Sequence, residues 1–267
     1  MWEEYAKKAI EEAVAWYTIG IDASSGKDLG GLNWATGALI EFRTEKFIVT
    51  CKHAFDRNLP DEKFSFLKRA DEPMQYVQDK ESFSKHSLKG VPKSYAQPLT
   101  ILGRFYSDDS DDVLIIRLDK ADSRIDGLKF CKLREDKKSP QEGTQIFLTG
   151  FSSEFVRFDP HEKSFGILPF FEASKVVDAK SEMGGYERER HFLIDYPIDE
   201  HSVEPKGFSG AGIWARDVSE KGSIWSPNLY LVGIQQSYFR ESKVLKATRL
   251  ERILNLLEHS IRFDRKE

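Results

Sequence analysis

Between residues 14 and 247 the apolar residues fall into short runs, and this restricts the fold more than any other feature. The first half carries runs at Ala15 to Ile21, Thr36 to Phe42, Phe47 to Cys51, Leu99 to Phe105 and Val113 to Leu118. The second half carries them at Gln145 to Thr149, Phe165 to Phe171, His191 to Tyr196, Gly212 to Ala215, Leu229 to Gln235 and Lys243 to Ala247. Gly, Asp, Asn, Ser and Pro bound them, so each reads as a strand rather than a helix, and strands in this number with turn signals between them predict an all-β sandwich or barrel.

Helical periodicity appears only at the two ends. Trp2, Tyr5, Ala6, Ala9, Ile10, Ala13 and Val14 form one stripe, and Leu250, Ile253, Leu254, Leu257 and Ile261 form another. Thr248 and Glu251 have the spacing of a capping box for the closing helix. The expected division is a helix over 1–13, β-rich halves over 14–136 and 137–247, and a helix and tail over 248–267. A polar stretch from 71 to 98, with Pro73, Pro92 and Pro98, reads as an inserted surface loop.

Composition narrows the function. The 267 residues allow one large or two small domains. A net charge of −4 gives no basic footprint for nucleic acid. No uncharged apolar stretch has the length of a membrane span, and charges at Glu3, Glu4, Lys7, Lys8, Glu11 and Glu12 leave no room for a signal-peptide core. Cys51 and Cys131 are the two cysteines; a single bridge or two free thiols are both open, and free thiols suit a reducing compartment. The expected setting is cytoplasmic, without membrane or nucleic-acid partner.

The chemistry centres on Lys206-Gly207-Phe208-Ser209-Gly210-Ala211-Gly212. Glycines around a serine permit unusual torsions and close approach of a substrate carbonyl, and the amides of Gly207 and Ser209 could both face one oxygen. A serine nucleophile needs a general base, and the base needs an orienting group. His53 follows the apolar run Phe47-Ile48-Val49 and the residues Thr50-Cys51-Lys52, at the end of a strand on rigid scaffold. His86, His161 and His201 sit in polar sequence, His191 begins a strand, and His259 lies off the stripe of the closing helix. Asp112 heads the strand Val113-Leu114-Ile115-Ile116-Arg117-Leu118, where an imidazole partner would offset the burial of its carboxylate. Asp111 is expected to point to the opposite face, into solvent. An α/β-hydrolase elbow fails, because Ala211 replaces its second glycine and the acid and histidine it would take from downstream, Asp217 and His259, are crowded against the C-terminus.

The order His53, Asp112, Ser209 resembles that of the trypsin-like (chymotrypsin-fold) serine peptidases, nearest in texture to their disulfide-poor bacterial members. Thr50-Cys51-Lys52-His53-Ala54, Asp112 to Leu118, Gly207-Phe208-Ser209-Gly210-Ala211 and Leu231-Val232-Gly233-Ile234 carry the likeness, with weaker landmarks at Thr36-Gly37-Ala38 and Thr149-Gly150-Phe151. The resemblance implies two six-stranded antiparallel β-barrels with the site between them. It implies His53 as base and acid, Asp112 as its orienter, Ser209 as nucleophile, and the Gly207 and Ser209 amides as oxyanion donors. It places Val203 at the base of a specificity pocket and Gln236, Ser237 and Tyr238 on the edge that pairs with substrate. Phe208 stands where secreted relatives carry aspartate, so their zymogen salt bridge is not expected. The implied function is a serine endopeptidase acting on protein or peptide, with no cofactor and no metal. The alternatives are a catalytically silent peptide-binding module on the same fold, or an esterase using the same triad.

Overall fold

The computed structural model describes residues 2–22, 34–55, 60–61, 64–69, 93–137, 139–152, 156–159, 164–167, 169–179, 183–198, 203–217 and 228–263. Helix α1 (Trp2–Trp16) leads into β1 (Thr18–Asp22), β2 (Trp34–Phe42), β3 (Glu45–Cys51), β4 (Ser65–Arg69), β5 (Lys93–Gln97), β6 (Ile101–Tyr106), β7 (Val113–Leu118) and β8 (Cys131–Lys132). The second half runs through β9 (Gln145–Gly150), β10 (Val156–Asp159), β11 (Ser164–Ile167), β12 (Phe170–Val177), β13 (His191–Asp195), β14 (Gly212–Arg216), β15 (Leu229–Phe239) and β16 (Val244–Arg249), and ends in helix α2 (Leu250–Phe263).

The mostly β architecture with a helix at each end is as expected. Strands β12-β13-β16-β15-β14-β9 close into a six-stranded antiparallel barrel. The first half is a half-barrel: β4-β1-β2-β3-β7-β6 pair in antiparallel order, and the ladder does not close on itself among the described residues. Three further strands extend it at the β4 edge. The hairpin β10–β11 crosses from the second half to pair with β5, which pairs with β4. Residues 93–97 of the expected loop are therefore a strand, and 71–92 lie outside the described residues. The single run read at Phe165 to Phe171 is split between β11 and β12, which belong to different sheets. No helix among the described residues is long and apolar enough to cross a membrane.

Alternation along the strands sorts the apolar side chains into three clusters. Leu39, Ile48, Leu114, Ile116 and Leu118 fill the first sheet with Ile19, Ile21 and Phe66. Ile146, Leu148, Phe192, Ile194, Ile213, Ala215 and Leu245 fill the second barrel. The intervening residues of the same strands, Ala38, Ile40, Phe47, Val49, Val113, Ile115, Phe147 and Trp214, meet in a third cluster between the two, with Ile10 and Val14 of α1 and Leu250, Ile253 and Leu257 of α2. β3 and β7 are thus buried on both faces, which is why they read as unbroken apolar runs rather than as alternating ones. A bulge in β15 keeps this sorting in step: Ile213 pairs with Gly233 but Trp214 with Leu231. Skipping Val232 lets Leu231 and Ile234 both face the middle cluster while Val232 faces the barrel.

The start of α2 differs from the capping box read in the sequence. Thr248 is still in β16, and its hydroxyl donates to the carbonyl of Asp111 at 2.7 Å. The cap comes from elsewhere in the chain: the Leu250 N–H donates to Ser139 Oγ at 3.0 Å, while Ser139 donates through its N–H (3.0 Å) and its hydroxyl (2.5 Å) to the Glu251 carboxylate.

Candidate active site

The end of β3 and the start of β7 are paired neighbours, with Cys51 opposite Val113. The residues just beyond them, His53 and Asp112, are therefore brought side by side. One carboxylate oxygen of Asp112 accepts the His53 backbone N–H at 2.8 Å, and the other lies 2.5 Å from His53 Nδ1. These two bonds fix the ring and hold the proton on Nδ1, which leaves Nε2 as the acceptor of a neutral imidazole. Nε2 lies 3.1 Å from Ser209 Oγ. The structure thus brings together all three residues singled out in the sequence.

Two features make the arrangement demanding. Asp112 is 8% exposed, so its carboxylate depends on those bonds to offset desolvation. Its backbone is left-handed, at φ 52°, a region that aspartate tolerates better than most residues. The hydrogen bond to Asp112, followed by the Cys51 sulfur 3.9 Å from Nε2, raises the His53 pKa above its ordinary value. Cys51 and Cys131 are both free and buried, and burial pushes the Cys131 thiol up to about 12.

Ser209 is delivered by a loop that lies flat against the first sheet. Gly207 and Gly210 have φ of 99° and 89°. A Cβ on Gly210 would stand 2.0 Å from Thr50 Oγ1 and 2.2 Å from the Thr36 carbonyl, so only glycine lets the loop approach that closely. Thr36, read only as a weak landmark, is the hub of this contact. Its N–H donates to the Ser209 carbonyl at 2.9 Å; its hydroxyl donates to the Gly207 carbonyl at 2.8 Å and accepts the Phe151 N–H at 3.1 Å. Thr50 in turn donates to the Thr36 carbonyl at 2.7 Å. Phe208 is fully buried and stacks on Phe170 with ring centroids 5.6 Å apart. The residue before the serine is therefore an apolar anchor inside the second barrel. Among the described residues, the N–H groups of Gly207 and Ser209 donate to no backbone carbonyl.

A groove of about 350 Å³ opens beside His53 and Ser209, with Gln236, Ser237 and Tyr238 along one wall and Glu204, Lys206 and Arg240 also lining it. Val203 does not line it. Its side chain is fully buried in the second barrel's core, and its carbonyl accepts the Tyr196 hydroxyl at 2.8 Å. β14 pairs with β15 only as far as Ile234, and Ala211 and Gly210 take up Gln235. Beyond that, this edge of β15 has no strand partner among the described residues.

Asp111 is not in solvent. It is 4% exposed, and Arg190 and Arg252 reach its two carboxylate oxygens at 3.0 and 2.7 Å. Burial by distant arginines overrides the alternation expected of an isolated strand. His191 is a buried structural residue whose Nδ1 accepts the Glu187 N–H while Nε2 lies 2.9 Å from the Ser110 carbonyl. Burial lowers its pKa. His86, His161 and His201 lie outside the described residues.

No protein-family model matches the chain, and no curated protein matches it. Solved structures do. A scabies mite inactivated protease paralogue, S-I1, superposes with a TM-score of 0.55 at 16% identity, over 93% of this chain and 96% of that one. The serine endoprotease from Yersinia pestis superposes with a TM-score of 0.53 at 13% identity, over 96% of this chain and 66% of that one. At such identities the likeness is one of fold, and the fold is that of the trypsin-like serine peptidases.

Proposed function

We propose that the protein is a serine endopeptidase in which His53, Asp112 and Ser209 act as the catalytic triad. The observation that carries this reading is His53 bonded on one side to Asp112 at 2.5 Å and lying on the other 3.1 Å from Ser209 Oγ. In the reaction, Ser209 Oγ attacks the scissile carbonyl as its proton passes to His53 Nε2. Asp112 holds the imidazole in the required tautomer and stabilises the imidazolium. The Gly207 and Ser209 N–H groups are the donors for the oxyanion; their lack of a backbone acceptor supports this. The imidazolium then gives its proton to the leaving amine, and water, deprotonated by His53, releases the acyl group and restores the serine.

The unpaired edge of β15 past Gln235 suits a substrate that adds its own backbone as a strand. A protein or peptide substrate fits that edge better than a small ester does. The inactivated state named for the mite paralogue keeps the silent binding module in view, since fold alone does not secure activity. Here an ordered His–Asp–Ser hydrogen-bond chain favours the enzyme.

Labelling with a fluorophosphonate probe separates the readings. The wild type labels and Ser209→Ala does not, and loss of the serine lowers kcat for a peptide by on the order of 10⁶. Equal labelling of both proteins removes Ser209 from the role. Labelling with ester turnover but no cleavage across a peptide library makes the protein an esterase, and peptide binding with no labelling makes it a binding module.

A further inference from the structure

The turn that presents Asp112 runs from Ser107, after β6, to the start of β7, and the Ser107 hydroxyl donates to the Asp108 carbonyl at 2.9 Å. The Asp111 N–H donates to Asp108 Oδ1 at 2.9 Å, the Asp112 N–H to the Asp108 carbonyl at 3.2 Å, and Ser107 and Val113 exchange two bonds. A left-handed aspartate is kept only where surrounding contacts over-determine it. The first sheet holds Asp112 itself, through the Lys52 N–H to its carbonyl at 3.0 Å and the His53 N–H to its carboxylate at 2.8 Å, and the Lys52 side chain reaches the Ser107 carbonyl and Asp109. Most of the remaining contacts come from the other half of the molecule. His191 and Gln236 reach the Ser110 carbonyl at 2.9 and 3.2 Å, and the Thr248 hydroxyl donates to the Asp111 carbonyl at 2.7 Å. Arg190 bridges Asp108 and Asp111 with one nitrogen, and Arg252 of α2 grips the second Asp111 oxygen with Nε and Nη2, both at 2.7 Å.

We propose that Asp111 is a positioning residue for the reaction: through Arg190 and Arg252 it ties the Asp112 turn to the second barrel and the C-terminal helix, so that the site is complete only when those elements are docked. The carboxylate that orients His53 comes from the first half, and the serine that His53 serves comes from the second. The Asp111 clamp bonds the two halves next to the residue whose placement both depend on. This rests on the reading of the site as a hydrolase triad. It adds a residue that touches neither substrate nor His53.

The test compares Asp111→Asn, Arg252→Gln and Arg252→Lys with Arg43→Gln, which breaks a different ion pair to the same helix, Arg43 to Glu258 at 3.2 Å. Three readouts are taken: kcat and KM on a peptide, the acid limb of the kcat/KM profile, and the proton resonance of His53 Nδ1–H. A misplacement of about 1 Å away from the chemistry can cost about 10²-fold, so Asp111→Asn and Arg252→Gln should lower kcat by about 10- to 100-fold with KM within about threefold. Arg252→Lys, which keeps the charge but loses the fork, should fall between these variants and wild type. The acid limb should move toward the ordinary histidine value and the Nδ1–H resonance should shift, while Arg43→Gln changes none of the three. Folded Asp111→Asn and Arg252→Gln proteins with wild-type kcat and an unmoved resonance overturn the proposal. If Asp111→Asn does not fold, Arg252→Lys decides on the same readouts. The resonance needs no substrate. A wild type without peptide turnover whose resonance still shifts in Asp111→Asn would refute the peptidase reading and keep the positioning role.

Discussion

Asp112 joins the most costly backbone conformation in the site to its most important contact. Asparagine tolerates the same left-handed torsions, so Asp112→Asn should fold while losing the charge that holds the His53 tautomer. In triads of this kind that change lowers kcat by about 10⁴-fold. The pH dependence follows from the same bond. Only neutral His53 can accept the serine proton, and its pKa is raised, chiefly by the hydrogen bond to Asp112. Activity should therefore rise with pH along an acid limb above the ordinary histidine value, and kcat/KM profiles should show that limb moving down in Asp112→Asn. Gly210 gives a second prediction at this scale. Because its Cβ would overlap Thr50 and the Thr36 carbonyl, Gly210→Ala should abolish probe labelling or prevent folding, and labelling at the wild-type rate would contradict the packing described. His53, Asp112 and Ser209 were legible because each stands at the end of an apolar run or among glycines. Asp111 was not: the arginines that bury it are 79 and 141 residues away, and no local pattern records them.

The elements show where local reading works and where it stops. β3 and β7 were legible from their continuous apolar runs. β4, β8 and β10 are short or carry charge, and pairing with neighbours, not composition, makes them strands. Helix α2 was legible as a stripe, but its cap was not, because Ser139 comes from 111 residues upstream while the sequence offers a capping box at Thr248. Ser139→Ala should cost about 1 kcal/mol, typical of a lost cap, and lower Tm by about 2–4 °C in a protein of this size. Calorimetry tests this, and Thr248→Val serves as the contrast: its loss should act on the site through Asp111 rather than on the helix.

For the whole molecule, the middle cluster decides how the halves behave. Strands of both sheets and both helices share it, so neither half keeps a complete core alone. Leu257, fully buried there, should cost about 2–5 kcal/mol when replaced by alanine. Urea unfolding followed by tryptophan fluorescence and by far-UV circular dichroism should give coincident transitions. Two separated transitions would show that the halves unfold independently.

Unaided, the sequence determined most of the longer apolar strands, where helices close the ends, and which serine, histidine and aspartate stand where chemistry is feasible. Those features are written in spacing of two or 3.6 residues and in single exceptions to it. Tertiary structure alone decided that the first sheet stays half-open while the second closes, that a hairpin of the second half extends the first, that Val203 is core rather than groove, and that Asp111 is clamped instead of solvated. Each of these depends on contacts between residues far apart in the chain, and short-range periodicity carries no information about them.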